Sequence, residues 1–291
     1  MLKVGVVGLG NMGSEIACRL AEKYSVFGFD LDANRLSEIE KKGVIPRSDL
    51  IGLAEEVGCL VLSLPNSKIS TSVLAEIKDH LRSNTIVVET STVLPSEINN
   101  FERLLDERQI DIVDAAILGG VENIRNGDAK FLIGGDDATI EKIDHLFLTL
   151  GREYTVLGPK GAGMAGKIIN NAIAHNVMVM IIEAASLGVK SGIKSEDLLE
   201  IFNGKTAYDR PVNHRFQERI LGEDYQGGMS MKNAAKDSRL ALELAHNNNV
   251  PLYSIQGAHT AYEVAVGEEL GELDYSSMAT LWEKWCDIEF K

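Results

Sequence analysis

Residues Lys3–Gly13 read KVGVVGLGNMG and decide the fold of this 291-residue chain. Residues 3–7 have the apolar, β-branched character of a buried strand, and three glycines follow at a fixed spacing. Gly8 permits a tight turn, Gly10 lets the backbone approach a pyrophosphate, and Gly13 allows a helix to pack closely on the strand. The free N–H groups at the start of that helix attract an anion. The stretch therefore predicts a strand, a turn and a helix that together bind a dinucleotide.

The acidic residue that follows this motif bears on the choice of dinucleotide. Glycine patterns also end strands for purely structural reasons, but here Asp30 closes a second β-rich run, 20 residues beyond Gly10. A carboxylate at this place accepts hydrogen bonds from the adenosine ribose and repels a 2′-phosphate. An NADP enzyme more often has an arginine next, whereas this chain has Leu31 and Asp32. The spacing favours NAD over NADP, although an exposed aspartate at a strand end is also common.

The first 157 residues alternate short β-rich runs with segments of helical periodicity. The predicted strands are Lys3–Val7, Ser25–Asp30, Cys59–Leu64, Thr85–Thr90, Ile110–Asp114, Lys130–Ile133 and Tyr154–Leu157. The predicted helices between them are Asn11–Lys23, Leu31–Lys42, Ile69–Leu81 and Ile140–Leu150. Several strands are apolar almost throughout, as expected where helices cover both faces of a sheet. The pattern predicts an α/β Rossmann-type, doubly wound and mainly parallel sheet.

The pattern becomes purely helical after residue 160. The predicted helices are Met164–Ser191, Ser195–Phe202, Asn233–Asn247, Tyr253–Gly267 and Ser276–Trp285. We therefore expect an NAD-binding domain over 1–160 and an all-α domain for substrate and oligomerisation over 161–291. The first of these helices is roughly 40 Å long at 1.5 Å per residue. A helix of that length is expected to cross an interdomain cleft or a subunit interface.

Charge and apolar patterning disfavour several classes of partner. The formal net charge of −14 disfavours nucleic acid and anionic lipid. The most apolar long stretch, 172–189, is interrupted by His175, Asn176 and Glu183, which favours a helix buried in protein over a membrane span. No basic and apolar leader precedes the first strand, and the three cysteines are scattered without metal-ligand spacing. We expect a cytoplasmic protein with reduced thiols and no metal.

A second constellation lies where the pattern changes, in Gly161–Asn171. Lys167 and Asn171 are four residues apart and share one face of the predicted helix. A lone lysine on a helix is usually a solvated charge. This one is flanked by apolar residues and follows glycines that leave room for a ligand. His175 continues the same face, as an alternative base or as a hydrogen-bonded core histidine.

Seven segments in order along the chain now carry a family resemblance. They are Gly8–Gly13, Leu64-Pro65 with Ile69, Ser91-Thr92, Asp114–Gly120 (DAAILGG), Gly161–Asn171, Lys236-Asp237 and Gly271–Ser277. They resemble the N-terminal fingerprint, the Leu-Pro cofactor loop, the Ser-Thr pair beside the nicotinamide ribose, the substrate loop, the catalytic segment, the late Lys-Asp pair and the C-terminal segment of the β-hydroxyacid dehydrogenase family.

The resemblance implies an NAD-dependent oxidoreductase that interconverts a small 3-hydroxyacid and its semialdehyde or ketone, as a homodimer or homotetramer. It implies that Lys167 is the general acid/base and that Asn171 is a catalytic and substrate-binding residue. The cofactor-binding residues that it implies are Gly8, Leu9, Gly10, Asn11, Met12, Gly13, Asp30, Leu64, Pro65, Ile69, Thr92 and Lys236. The further substrate-binding residues that it implies are Leu118, Gly119 and Gly120.

The substrate loop departs from the family pattern at one position. The family has a serine before its glycine pair, which helps to hold a substrate carboxylate, and this chain has Leu118. The backbone N–H groups of Gly119 and Gly120 remain as anion donors. An imine or ketone reductase on the same fold is one alternative, which Leu118 favours weakly and Lys167 opposes. A non-catalytic NAD-binding module is another, but such a module has no need of a proton donor.

Overall fold

The computed structural model describes residues 2–106, 108–204 and 209–290. The chain forms two compact units, Met1–Asn171 and Ala172–Lys291. The division falls inside one long helix, so that Lys167 and Asn171 belong to the first unit.

An eight-stranded sheet forms the centre of the first unit. Its strands are β1 (Lys3–Val7), β2 (Ser25–Phe29), β3 (Ile45–Pro46), β4 (Cys59–Leu62), β5 (Ile86–Glu89), β6 (Asp111–Leu118), β7 (Ala129–Gly134) and β8 (Gly151–Gly158). Their order is β3-β2-β1-β4-β5-β6-β7-β8. All neighbours are parallel except β6 and β7. The chain reverses its direction of winding between β1 and β4, where α/β sheets open a crevice at the carboxyl ends of the strands.

Helices cover both faces of this sheet. They are α1 (Asn11–Ala21), α2 (Ala33–Glu40), α3 (Leu50–Glu56), α4 (Ser67–Ile77), α5 (Pro95–Asp106), α6 (Val121–Asn126), α7 (Asp137–Glu141) and α8 (Asp144–Leu150). Successive strand residues alternate between two buried apolar clusters: Val88 and Val113 lie in one, Val87 and Ile112 in the other. The apolar strands of the sequence are thus buried on both sides, and the predicted fold class is confirmed.

Several predicted boundaries differ from those in the structure. The strand predicted at Ile110–Asp114 is β6, which continues to Leu118, and the helix predicted at Ile140–Leu150 is divided into α7 and α8. β3 and the helices α3, α5 and α6 were not predicted. The extension of β6 matters most, because it carries the strand into the predicted substrate loop.

The second unit is helical, as predicted. The long helix α9 (Ala162–Lys190) enters it, followed by α10 (Ser195–Phe202), a π-helix (Arg210–Ile220), α11 (Met231–Asn247), α12 (Tyr253–Gly267), a 3₁₀ turn (Tyr275–Met278) and α13 (Ala279–Cys286). Glu183 of α9 is buried and accepts the N–H groups of Tyr253 and Ser254 at 2.8 and 3.1 Å. It thereby caps the start of α12.

Helix α9 has an unusually apolar surface. By length and composition alone it could span a membrane, with a mean hydropathy of 1.6 over 18 residues, yet only 11% of that window is buried. Its exposed apolar side chains in the second unit include Ile173, Met178, Val179, Ile182 and Val189. The expectation that this stretch is buried is therefore not met within a single chain.

Candidate functional site

A cavity of about 640 Å³ opens where the chain changes its direction of winding, at the carboxyl ends of β1, β2 and β4. Nine of the residues that the sequence analysis assigned to the cofactor line it: Gly8, Gly10, Asn11, Met12, Gly13, Asp30, Leu64, Pro65 and Ile69. The cavity is also lined by Phe29, Leu31 and Arg35. It is therefore an apolar cleft with a few polar groups, which is the usual character of a cofactor site.

The glycine-rich turn leaves no room for side chains at two positions. Gly8 has a φ of 90°, and a Cβ atom there would overlap the carbonyl oxygen of Ser63. A Cβ atom at Gly13 would overlap the carbonyl oxygen of Gly8. Gly10 occupies the N-cap position of α1 and has no side chain that could cap the helix. The first N–H groups of the helix therefore stay open to an anion. These residues fit the pyrophosphate of a dinucleotide.

Asp30 ties the glycine-rich turn to the end of β2. Its Oδ2 accepts the N–H of Leu9 at 2.7 Å and its Oδ1 accepts the N–H of Asp32 at 2.9 Å. Arg35 of α2 reaches Oδ2 at 3.2 Å. Burial raises the pKa of Asp30, but these hydrogen bonds lower it more, so that the net shift is downward. The carboxylate therefore stays ionised and can accept a ribose hydroxyl.

Three predicted cofactor residues lie outside the cavity lining. The side chain of Leu9 is 2% exposed and packs in the core, while its backbone N–H serves Asp30. Thr92 is exposed beyond β5. Lys236 lies in α11 of the second unit, where its exposed ammonium group pairs with Asp237 at 3.0 Å.

Asp114 holds the start of α9 against the sheet. It is completely buried in β6, and its carboxylate accepts the N–H groups of Gly161 at 2.6 Å and Met164 at 2.8 Å. Burial raises the pKa of this carboxyl group, although the hydrogen bonds oppose that shift. A buried acid at a helix N-terminus satisfies N–H groups that lack partners in the helix. Asp114 thus fixes the helix that carries Lys167 and Asn171.

Lys167 is brought to the predicted substrate loop. Its Nζ donates to the carbonyl oxygen of Ile117 at 2.7 Å, near the carboxyl end of β6. Burial lowers the pKa of Lys167, since desolvation disfavours the charged form. Asn171 is half-buried one turn further along α9, whereas His175 is exposed. A lysine with a lowered pKa beside a loop of glycines can exchange a proton with a bound alcohol or carbonyl.

The N–H groups of the glycine pair in this loop are less available to an anion than the sequence indicates. The N–H of Gly120 donates to Asn123 Oδ1 at 2.8 Å, at the start of α6. Gly119 adopts a φ of 121°. Leu118 is half-buried and packs against the core cluster on its face of the sheet. Of the two expected anion donors, Gly120 is therefore already engaged.

Sequence analysis missed two residues that shape this site. Arg35 is five residues beyond Asp30, whereas a cofactor-selecting arginine is expected next to the acid. Asp114 was noted only as the first residue of a loop motif, and its contact with the start of α9 joins positions 47 to 50 residues apart. The position of Arg35 is visible in the local sequence, but the local sequence has no signal for the contact of Asp114.

Comparison with known proteins gives matches over almost the whole chain. Residues 3–158 match a family model described as the NAD binding domain of 6-phosphogluconate dehydrogenase. Residues 161–282 match one described as NAD-binding of NADP-dependent 3-hydroxyisobutyrate dehydrogenase.

The chain is 30% identical to 2-(hydroxymethyl)glutarate dehydrogenase from Eubacterium barkeri, over 99% of this chain and 97% of that one. It is 27% identical to the NAD-dependent L-serine dehydrogenase of Pseudomonas aeruginosa, over 97% and 98% of the two chains. An imine reductase from a Pseudomonas species has the same fold, with a TM-score of 0.86 at 20% identity over 96% and 98% of the two chains. The chain therefore belongs to the β-hydroxyacid dehydrogenase family and is an NAD-dependent oxidoreductase.

Proposed function

We propose that Lys167 is the general acid/base of this dehydrogenase and that its substrate is a small hydroxyacid with a primary alcohol near a carboxylate. The placement of Lys167 supports this most directly, because its ammonium group lies 2.7 Å from the carbonyl oxygen of Ile117 and its pKa is lowered by burial. The relatives named for 2-(hydroxymethyl)glutarate and L-serine act on compounds with such a hydroxymethyl group.

Each residue has a distinct task in the proposed reaction. Bound NAD supplies the hydride acceptor, or the donor in reverse. In oxidation, neutral Lys167 accepts the proton of the substrate hydroxyl. In reduction, protonated Lys167 returns a proton to the developing alkoxide. Asn171 hydrogen-bonds the reacting oxygen without titrating, and Gly119, with Gly120 after a local shift, binds the acid end.

The two halves of the chain divide this work. We propose that residues 1–160 bind NAD through the cavity residues, together with Leu9 and Thr92. Residues 161–291 complete the substrate site, and Lys236 contributes to the cofactor. The exposed apolar face of α9 in the second unit supports a homodimer or homotetramer. We also propose that the enzyme is cytoplasmic. A monomer in light scattering at micromolar concentration would contradict the oligomer.

The test is turnover followed at the absorbance of reduced nicotinamide, with a panel of small hydroxyacids, semialdehydes and cyclic imines. We expect hydroxyacids and semialdehydes to react and imines to remain inert, because the family resemblance assigns Lys167 to the oxygen of an alcohol or carbonyl substrate. Turnover of imines alone would replace the proposed function by the reductase alternative. Binding of NADH without any turnover would favour the binding module.

NAD is expected to be preferred over NADP by about tenfold or more, because the ionised Asp30 repels a 2′-phosphate. Arg35 partly offsets that repulsion, since its guanidinium group lies 3.2 Å from the carboxylate. Arg35→Ala should therefore leave kcat/KM with NAD almost unchanged and reduce it with NADP. Arg103→Ala, on α5 and outside the cavity lining, is the control. A preference for NADP in the unaltered enzyme would remove Asp30 from the ribose.

Leu118 is expected to set substrate preference, because a serine hydroxyl donates to a carboxylate and leucine cannot. A lost hydrogen bond to a charged group costs about 1.5–3 kcal/mol, or roughly ten- to a hundredfold in affinity. Leu118→Ser should raise kcat/KM for small hydroxyacids relative to bulkier, less polar substrates.

The contacts of Leu118 with the core define the competing outcome of that experiment. If Leu118→Ser changes only the melting temperature and leaves relative specificity unchanged, the side chain serves the core and not the substrate. Comparison of kcat/KM over the same panel, together with the melting temperature, separates the two roles.

A further inference from the structure

Glu89 is a fully buried carboxyl group for which the proposed reaction has no use. It ends β5, in register with Leu62 of β4 and Asp114 of β6, and is 0% exposed. Among the residues that the structure describes, no lysine, arginine or histidine forms an ion pair with it. Charged side chains are rarely buried completely without such a partner. The carboxyl group of Glu89 is instead held by hydrogen bonds to uncharged groups.

The first of these hydrogen bonds leads to the cofactor loop. Oε1 of Glu89 accepts the N–H of Ser91 at 2.8 Å. The hydroxyl oxygen of Ser91 in turn accepts the N–H of Leu64 at 2.8 Å. Leu64 and Pro65 line the cavity. Two hydrogen bonds thus connect the buried carboxyl group to one wall of the cavity.

A second contact leads to α4. The hydroxyl of Ser70 lies close to the carboxyl group, yet Ser70 Oγ and Glu89 Oε2 are both buried and have no hydrogen-bond partner among the described residues. Ser70 follows Ile69, which lines the cavity. The carboxyl group of Glu89 thus lies behind two walls of the cavity, the Leu64-Pro65 loop and the first turn of α4.

We propose that Glu89 is a positioning residue for cofactor binding, which holds the Leu64-Pro65 loop through Ser91 and lies behind the start of α4. The inference rests on the proposed use of the cavity for NAD. Its effect is on the shape of the binding cavity before the cofactor arrives, so it acts on affinity and not on proton transfer.

The protonation of Glu89 is consistent with this role. Burial raises its pKa to about 7, against the lowering effect of the Ser91 and Ser70 hydroxyls and of the N–H groups of Ser91 and Thr90. A protonated Oε2 can donate to Ser70, which is otherwise without a partner. Glutamine reproduces the same pattern, with one acceptor for Ser91 and one donor for Ser70, and is the conservative substitution.

The test measures NADH dissociation constants by titration of purified variants, together with kcat, KM for NAD and melting temperature. Glu89→Leu should raise the dissociation constant about tenfold, the order of effect expected for the loss of one hydrogen bond. The value of kcat at saturating NAD should stay within about threefold of the unaltered enzyme. Glu89→Gln should restore most of the affinity. Ser91→Ala should match Glu89→Leu, and the double variant should be little worse than either.

Thr85→Val is the matched control, because Thr85 is 1% exposed, precedes the same strand and bonds the carbonyl oxygen of Val57 away from the cavity. It should lower stability without weakening NADH binding. The proposal is overturned if Glu89→Leu behaves like Thr85→Val. If Glu89→Leu does not fold, Ser91→Ala decides, and unchanged NADH affinity in that variant also overturns the proposal.

Asp30→Ala separates this inference from the cofactor assignment on which it rests. That variant should weaken NADH binding through the ribose, independently of Glu89. Unchanged affinity in Asp30→Ala would mean that the assignment of the cavity fails. Weakened affinity in Asp30→Ala together with normal affinity in Glu89→Leu would reject the positioning role alone.

Discussion

Lys167→Ala is expected to reduce kcat by at least about 10²-fold, the lower end of general acid/base contributions, while NADH binding stays nearly normal. The lysine side chain that this variant removes donates to the carbonyl oxygen of Ile117. That contact lies at the substrate loop and outside the cavity lining. The loss should therefore appear in kcat and not in the dissociation constant of the cofactor. Steady-state kinetics and NADH titration on the same preparation measure both.

Lys160→Ala is the control for loss of a lysine near the start of the same helix. The ammonium group of Lys160 pairs with Glu102 at 2.6 Å and with Asp136 at 3.1 Å, whereas that of Lys167 donates to Ile117. Its replacement should change stability more than turnover. Near-normal kcat in Lys167→Ala would remove the proposed proton donor, and His175 would then be the next candidate.

The pH dependence of oxidation should follow the lowered pKa of Lys167. Oxidation needs the neutral amine, so kcat/KM rises with pH through the pKa of the lysine. Because burial lowers that pKa, the rise should be centred below 10.5, the ordinary value for lysine. In Lys167→Ala this limb of the profile should disappear.

The parts of the fold that depend on local pattern were predictable, and the shortest ones were not. The strands of the central sheet have apolar runs, because helices cover them on both faces. β3 has only two residues, which are too few to show a periodicity in the sequence. The strand forms by pairing Ile45 with Phe27 of β2. α5 is an exception, because it was not predicted although the sequence carries signals for a helix. Pro95 stands at its first position, and Ile98 and Phe101 lie on its buried face.

The candidate site also has parts that the sequence predicts and parts that it does not. The turn from Gly8 to Gly13 and the spacing to Asp30 are properties of one contiguous segment, and the structure brings them to one cavity. The contacts of Glu89 and Asp114 join segments far apart in the chain. Amino-acid types alone do not show which N–H groups a buried carboxylate will meet, since tertiary packing decides that.

Asp274 illustrates the same limit in the second unit, where it was noted only as part of a C-terminal family resemblance. It is completely buried, and its carboxylate accepts the N–H and hydroxyl of Ser276 at 3.0 and 2.7 Å and the N–H of Met229 at 3.1 Å. Nε of Arg215 lies 3.1 Å away and Nε of Arg219 lies 3.8 Å away. The acid thus joins the π-helix, the segment before α11 and the 3₁₀ turn.

Asp274→Ala is expected to lower the free energy of unfolding of the second unit by about 3–5 kcal/mol, because it leaves a buried guanidinium without its counter-charge. Arg215 is only 9% exposed and stacks on Tyr275 at 4.9 Å, so it cannot move freely into water. Urea denaturation followed by tryptophan fluorescence reports on this unit, since both tryptophans, Trp282 and Trp285, lie in α13. Glu272→Ala is the control. Its ion pair with Lys232 is largely exposed, so the loss should stay within about 0.5 kcal/mol. A similar small loss in Asp274→Ala would show that Arg215 finds other partners and that the acid does not hold the three segments together.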